Sequence, residues 1–321
     1  MMSSREFVYG YYLEDSGKGE KIASLATLDL SRKFWLHFDY TQDITKEWFE
    51  NQSGLNPSVI AALLNEETRP RATPLHEGVL ISLRGVNLAP DSNPEDMVSI
   101  RLWVTKERII STRCRTLLST RDMAEDLEQG CGATTPAEFT VILTDRLIER
   151  MTDTINDIED KVSEIEESIL TSSNYALRND IADLRRQIIS LRRYLSPQRE
   201  AMLQLLSEKV SIFSIEEKIQ LRETTDHLTR FVEDLDSIKD RAAVTQEEIN
   251  NRLAEQMNNR MYVLSIVAAI FLPLGFLTGL LGINVGGIPG AENTDAFLIF
   301  IGMLVIVVAV QVYIFKKKKW F

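Results

Sequence analysis

The groups in this 321-residue chain best placed to do chemistry lie near its C-terminal end. Asn284 directly follows Gly282 and Ile283, just beyond Met261 to Leu281, a run of 21 residues without a charge. A carboxamide oxygen and backbone carbonyls are neutral acceptors. They can hydrogen-bond the water shell of a hydrated divalent cation without trapping it. Upstream, Asn258, Met261, Ser265, Ala268, Leu272, Gly275, Gly279 and Gly282 step by three and four along one helical face. That face is small and polar for its surroundings, and its glycines would leave backbone open to a lumen. Pro273 frees the carbonyl of Ala269 from its intrahelical bond, another polar group available inside. Small residues at this spacing also build ordinary helix–helix contacts in membranes, so spacing alone leaves a pore face and a packing face open. Glu292 and Asp295 would add carboxylates at the entrance of any such lumen.

The remaining reactive residues form no catalytic pattern. There is no nucleophile–base pair, no glycine-rich phosphate loop and no ligand cluster, which argues against an enzyme and against a bound cofactor. His37, His76 and His227 are scattered without ligand spacing and read as structural. Cys114 and Cys131 lack metal spacing and suit reduced thiols. Asp153, Asp157, Glu159, Asp160, Glu164, Glu166 and Glu167 crowd one stretch, countered there by Lys161 alone. They read either as a solvated face or as a wall that concentrates cations. A formal charge of −11 argues against a nucleic-acid partner, which rewards basic patches. Thr68-Arg69-Pro70-Arg71 reads as a turn bracing one domain or subunit against another.

The elements that must position Asn284 are two apolar helices. Spans at about 261–281 and 296–315 are each long enough to cross a bilayer core of about 30 Å. The connecting loop, 282–295, has no Lys or Arg, whereas Lys316 to Lys319 follow the second span. Lys-rich flanks stay in the cytoplasm, so the loop is expected outside and both termini inside. The bulky, β-branched second span, broken only by Gly302 and Gln311, reads as a lipid-facing outer helix around the first. Neither span holds an acidic, basic or His residue, which argues against a proton relay through such side chains in the membrane. Dehydrated zinc would want Cys, His or carboxylate ligands, and the spans have none. Two helices cannot enclose a route through a bilayer, so conduction would need several copies.

The rest of the chain divides in two. Residues 1–135 mix strand and helix patterns, with strands at 34–38, 79–83, 99–104 and 108–111 and helices at 58–65 and 117–129, an α/β domain. Gly130-Cys131-Gly132 with Thr135-Pro136 marks a stop and a new helix start. Residues 136–257 read as a helical, coiled-coil-like stalk, with residues 258–321 as the membrane part. Ile148, Met151, Ile155, Ile158, Val162, Ile165 and Ile169 form an unbroken three-four stripe, repeated by Leu177 to Leu195 and, after Ser196-Pro197, by Leu228 to Leu253. With no Pro or Gly between Ser214 and Phe271, the last stalk helix is expected to run straight into the first span.

Gly282-Ile283-Asn284 after the first of two C-terminal spans, with the closing lysines, resembles the CorA family of divalent cation transporters. The usual family tripeptide is Gly-Met-Asn, and Ile283 departs from it. That departure, with Phe271-Leu272-Pro273, Phe276-Leu277-Thr278-Gly279-Leu280, Gly286-Gly287-Ile288-Pro289-Gly290, Glu67-Thr68-Arg69-Pro70-Arg71 and Tyr194 with Pro197-Gln198-Arg199, is more similar to the zinc-transporting ZntB branch. The resemblance implies a funnel-shaped homopentamer in a bacterial inner membrane, with the α/β domains in the cytoplasm and the first spans lining the pore. It implies a selectivity ring of Asn284 with Gly282 and Ile283, and apolar constrictions at Met261 and Leu272. Gly275 stands where magnesium-transporting relatives often carry a hydroxyl residue. Zinc is the implied cargo, taken up with stimulation by a proton gradient. Magnesium, cobalt or nickel is the alternative within the family. A non-conducting, membrane-tethered coiled-coil sensor is the alternative outside it.

Overall fold

A computed structural model describes residues 6–66, 69–171, 175–282, 290 and 293–318. They form two compact units, Met1–Glu247 and Glu248–Phe321. The first opens with a seven-stranded sheet: β1 (Tyr9–Tyr12), β2 (Glu20–Lys21), β3 (Phe34–Asp39), β4 (Arg71–Leu75), β5 (Gly78–Gly85), β6 (Val98–Val104) and β7 (Arg108–Arg113). Their order is β2-β1-β3-β7-β6-β5-β4, antiparallel except where β3 runs parallel to β7. Helices α1 (Asp43–Asn51) and α2 (Pro57–Leu64) precede β4, and α3 (Leu118–Gln129) and α4 (Pro136–Glu149) follow β7.

Near-continuous burial of β3, with Phe34, Trp35, Leu36 and Phe38 all at 2% exposure or less, marks a strand covered on both faces. On one face, Leu36, Phe38, Leu80, Trp103 and Ile110 pack with Trp48 and Phe49 of α1 and Val59 and Leu63 of α2. On the other, Trp35 meets Phe139 of α4 with ring centroids 4.6 Å apart. The expected strands and helices of this region are present. Four elements escaped the sequence reading. Strand β1 is only four residues long, the edge strands β2 and β4 are short or exposed, and α1 joins three buried residues to a polar face.

Local signals set the helix ends. Gly130 takes φ 83 to close α3, a conformation that suits glycine. Thr135 caps α4 by accepting from the Glu138 amide at 3.1 Å, with Pro136 in the first turn. Beyond it run α5 (Thr152–Thr171), α6 (Tyr175–Leu205), α7 (Ile215–Gly282) and α8 (Ala296–Lys317). Ser214 and Glu217 begin α7 as a reciprocal capping box: the Glu217 amide donates to Ser214 Oγ at 3.2 Å, and the Ser214 amide donates to Glu217 Oε2 at 2.6 Å.

Two features of the stalk go beyond its apolar stripes. The stripe from Ile148 to Ile169 is buried throughout, yet it spans two helices, because α4 ends at Glu149 and α5 starts at Thr152. A tight turn, with the Met151 amide donating to the Ile148 carbonyl at 2.9 Å, preserves the facing direction. Pro197 lies inside α6, which continues to Leu205. The next residue, Gln198, is wholly buried and brackets the backbone of Arg84 in β5. Its Oε1 accepts from the Arg84 amide at 2.7 Å, and its Nε2 donates to the Arg84 carbonyl at 3.1 Å. Pairing of β4 with β5 stops at Ser82, so this amide completes the ladder where the edge strand runs out.

Candidate functional site

The second unit contains the end of α7 and all of α8, the two helices long and apolar enough to cross a membrane. In α8 the half-buried positions are Ala296, Phe300, Leu304, Val307, Val308, Gln311 and Phe315, a seam at three-four spacing. The covered positions of α7 are Ile266, Ala269, Ile270, Leu274 and Leu277. At 3.6 residues per turn most of this face lies opposite the one that carries Met261, Ser265, Ala268, Leu272, Gly275 and Gly279. Those six positions and Asn258 are exposed in the single chain, Met261 at 63% and Leu272 at 73%. A Cβ built on Gly275, Gly279 or Gly282 would meet nothing within 4 Å. Gly275 also borders a cleft of about 640 Å³ lined by Leu274 and Thr278 of α7 and Leu304 and Val308 of α8.

Pro273 lies within α7. The Ala269 carbonyl that it frees accepts from Gln311 Nε2 of α8 at 3.2 Å. This carbonyl is therefore directed to the neighbouring helix, which corrects the expectation that it serves a lumen. With no water in a bilayer core, a backbone acceptor needs a protein donor, and the lone amide of α8 supplies it. A single polar residue in an otherwise apolar span is the signal from which such a partner could have been sought. Thr278 turns its hydroxyl back onto its own helix, donating to the Leu274 carbonyl at 2.9 Å.

Asn284, Ile283 and Glu292 lie outside the described residues, as do Glu67 and Thr68. Gly282 is the last residue of α7, and the exposed Asp295 precedes α8, with its amide donating to Asn293 Oδ1 at 3.0 Å.

The acidic stretch of α5 is partly engaged within the first unit. Arg241 of α7 donates to Glu166 Oε2 at 2.7 Å, to Glu159 Oε1 at 3.2 Å and to Ser163 Oγ at 2.9 Å. Donation from Arg241 holds the Glu166 carboxyl below its usual range. Lys161 pairs with Asp157 at 2.5 Å. Glu159, Glu166 and Asp157 thus tie helices or turns together, while Asp153, Asp160, Glu164 and Glu167 stay exposed.

The histidines are not brought together. His37 is wholly buried in β3, and His227 lies against Phe231 with ring centroids 4.3 Å apart. His76 is exposed between β4 and β5. Among the described residues no group of three or more His, Cys, Asp or Glu side chains is arranged to hold a metal ion.

Residues 32–317 match the family model described as CorA-like Mg2+ transporter protein. The chain is 38% identical to a divalent cation transporter, CmaX, of Pseudomonas aeruginosa over 322 residues, covering 98% of this chain and 97% of that one. It is 37% identical to the zinc transport protein ZntB of Yersinia enterocolitica over 313 residues, covering 98% and 95%. The solved structure of full-length CmaX superposes with a TM-score of 0.86 at 37% identity over all of both chains.

Proposed function

The chain belongs to the CorA-like Mg2+ transporter family, and on that premise we propose that it carries divalent cations across a membrane through a pore of five copies, with zinc the principal cargo. The observation that carries the reading is the open face of α7. Asn258, Met261, Ser265, Ala268, Leu272 and Gly279 are exposed, while α8 covers most of the opposite face. A helix clothed on one side by its own hairpin partner and bare along a small, polar stripe on the other is suited to surround an axis with its copies. The stripe gives an ion water and backbone, not ligands, so the cation passes with its hydration shell.

At the outer end, Asn284 with Gly282 and Ile283 would form the recognition ring, and Glu292 and Asp295 would gather cations ahead of it. Zinc is favoured by the Gly-Ile-Asn sequence and by the relatives named as zinc transport proteins. A broader divalent range is the second reading, favoured by the Pseudomonas relative's description. Neither span carries a charged side chain, so a proton gradient would have to act elsewhere than on titrating groups inside the spans. The lysines after α8 support a cytoplasmic side for both termini.

The test is reconstitution into liposomes loaded with a zinc-responsive dye, with and without an imposed pH gradient, and with cobalt, nickel and magnesium as competitors. Zinc entry above that of empty liposomes, faster with an inward proton gradient, is expected. Reconstituted protein that admits none of the four metals would overturn the transport reading and leave the tethered sensor in its place.

A further inference from the structure

The chain has nine methionines, and their surroundings sort them. Met97, Met123, Met151 and Met202 are buried at 3% exposure or less, where a thioether fills the core. Met257 and Met261 are the reverse, 55% and 63% exposed, and both lie in the second unit on helix α7. They are four residues apart, so their Cβ atoms stand about 5–6 Å from each other on one face. Two flexible side chains at that spacing can close their sulfurs on one ion, as paired histidines do at the same spacing on metal-binding helices. Met303, exposed on α8, has no second methionine within a turn.

Sulfur decides what such a pair takes. Thioethers are neutral, soft donors, which suit closed-shell monovalent ions such as Cu(I). Zinc is held by thiolates, imidazoles and carboxylates, and Met257 and Met261 offer it none of these. Charge does not supply the attraction, because Glu255 and Arg260, exposed on the same two turns, carry opposite formal charges. Asn258 and Asn259 between the two sulfurs are exposed carboxamides, and such oxygens compete poorly with sulfur for a soft ion.

We propose that Met257 and Met261 form a bidentate thioether site for a soft monovalent cation, Cu(I) or Ag(I), at the start of the first apolar span. A single helix supplies both sulfurs, so binding needs no second copy. With five copies around an axis, Met261 lies on the face turned toward that axis, and a soft ion held there should plug the route that hydrated zinc follows. The plug rests on the transport reading, and the binding does not.

Silver nitrate in chloride-free buffer is titrated into the full chain in detergent, with Cys114→Ser and Cys131→Ser in place because both thiols are exposed and would take silver first. Isotope-labelled methionine methyl groups report occupancy by NMR. Saturable shifts of the Met257 and Met261 signals are expected, with no shift of Met303. Leu is close to Met in volume and both positions are exposed, so Met257→Leu and Met261→Leu should fold. Each should weaken the Kd by about tenfold or more, because a lone thioether loses the second, intramolecular contact. Zinc at the same concentrations should leave the signals unmoved. No saturable shift, an unchanged Kd in either Leu variant, or an equal response to zinc would overturn the site. Zinc entry into liposomes, followed in the same thiol-free protein, should fall when silver is added, and the variant carrying both Leu substitutions should resist silver. Bound silver with undiminished zinc entry would overturn the plug. Protein that binds silver at this pair but admits no zinc would uphold the site and sink the transport reading instead.

Discussion

At the residue scale, the first prediction concerns Asn284. A divalent cation entering at 100 mV, inside negative, gains about 4.6 kcal/mol from the field, at roughly 2.3 per charge. Driving force is ample, so the ring proposed at Asn284 would have to recognise the ion without binding it tightly. Leu at this position offers no acceptor to the hydration shell. Asn284→Leu should abolish zinc uptake in liposomes while the assembly survives, and Asn284→Asp should bind metal yet conduct poorly, since five carboxylates hold the ion or lose charge by mutual pKa elevation. Wild-type flux in the Leu variant would place selectivity elsewhere. The Gln311 link to the Ala269 carbonyl at 3.2 Å gives the second prediction. Gln311→Leu leaves that acceptor unpaired and should destabilise the chain by about 1 kcal/mol, in the range measured for hydrogen bonds between membrane helices. Unfolding in mixed detergent measures it, and a neutral result would show that the carbonyl finds another donor. Pro273 announced the free carbonyl in the sequence. Its partner 42 residues away did not, because a donor is chosen by three-dimensional proximity.

At the element scale, the centre of the sheet holds a polar network. Ser111 Oγ of β7 accepts from Trp35 Nε1 at 2.8 Å, donates to the Leu36 carbonyl at 3.2 Å and lies 2.8 Å from His37 Nδ1. One hydroxyl has one proton, so all three contacts are satisfied only when His37 Nδ1 carries a hydrogen and donates it, and a second ring proton would sit on Nε2, which is buried without a partner. Burial, and then the Arg113 charge, push the His37 pKa well below its ordinary value. A depressed folded-state pKa makes this stability complete above the unfolded value of about 6.5 and lost as pH falls from there toward the folded value. The unfolding midpoint should therefore begin to drop below that pH, and in His37→Gln the drop should start only in the carboxylate range. An identical acid limb in the variant would assign it to other groups.

The long elements were legible for a simple reason. Periodicity reports which face is buried, and Ile155, Ile158, Val162, Leu184, Ile188 and Leu235 are all buried as their spacing requires. The edge strands were not legible, since β4, with alternating exposed and half-buried residues and Pro74 within it, is held by ladder bonds that composition does not encode. Pro197 does not end α6, and in that stretch the Tyr194 ring lies against the Arg84 guanidinium and Gln198 bonds the Arg84 backbone.

At the scale of the whole molecule, assembly is the quantity to measure. Native mass determination in detergent should give a homopentamer, and a monomer or dimer would remove the enclosed route. Gly279, exposed and with nothing within 4 Å of an added Cβ, should tolerate a side chain in an isolated subunit. Gly279→Leu should therefore fold and assemble yet block transport by filling the lumen, and full activity would take Gly279 off the axis. Val305, 63% exposed on α8, should accept apolar replacements that the half-buried Val308 resists. The bracket that Gln198 places around Arg84 has a consequence for solubility. Among the described residues no strand pairs with the β4 side of β5 beyond Ser82, and one carboxamide occupies the backbone donor and acceptor of Arg84 there. An open ladder end of this kind is a template for pairing with another chain. Gln198→Leu should thus raise the yield of insoluble material during expression and bring time-dependent light scattering at high concentration, with the metal route itself untouched. By this account a single side chain, far along the sequence from the strand it seals, keeps neighbouring molecules from polymerising through their sheets.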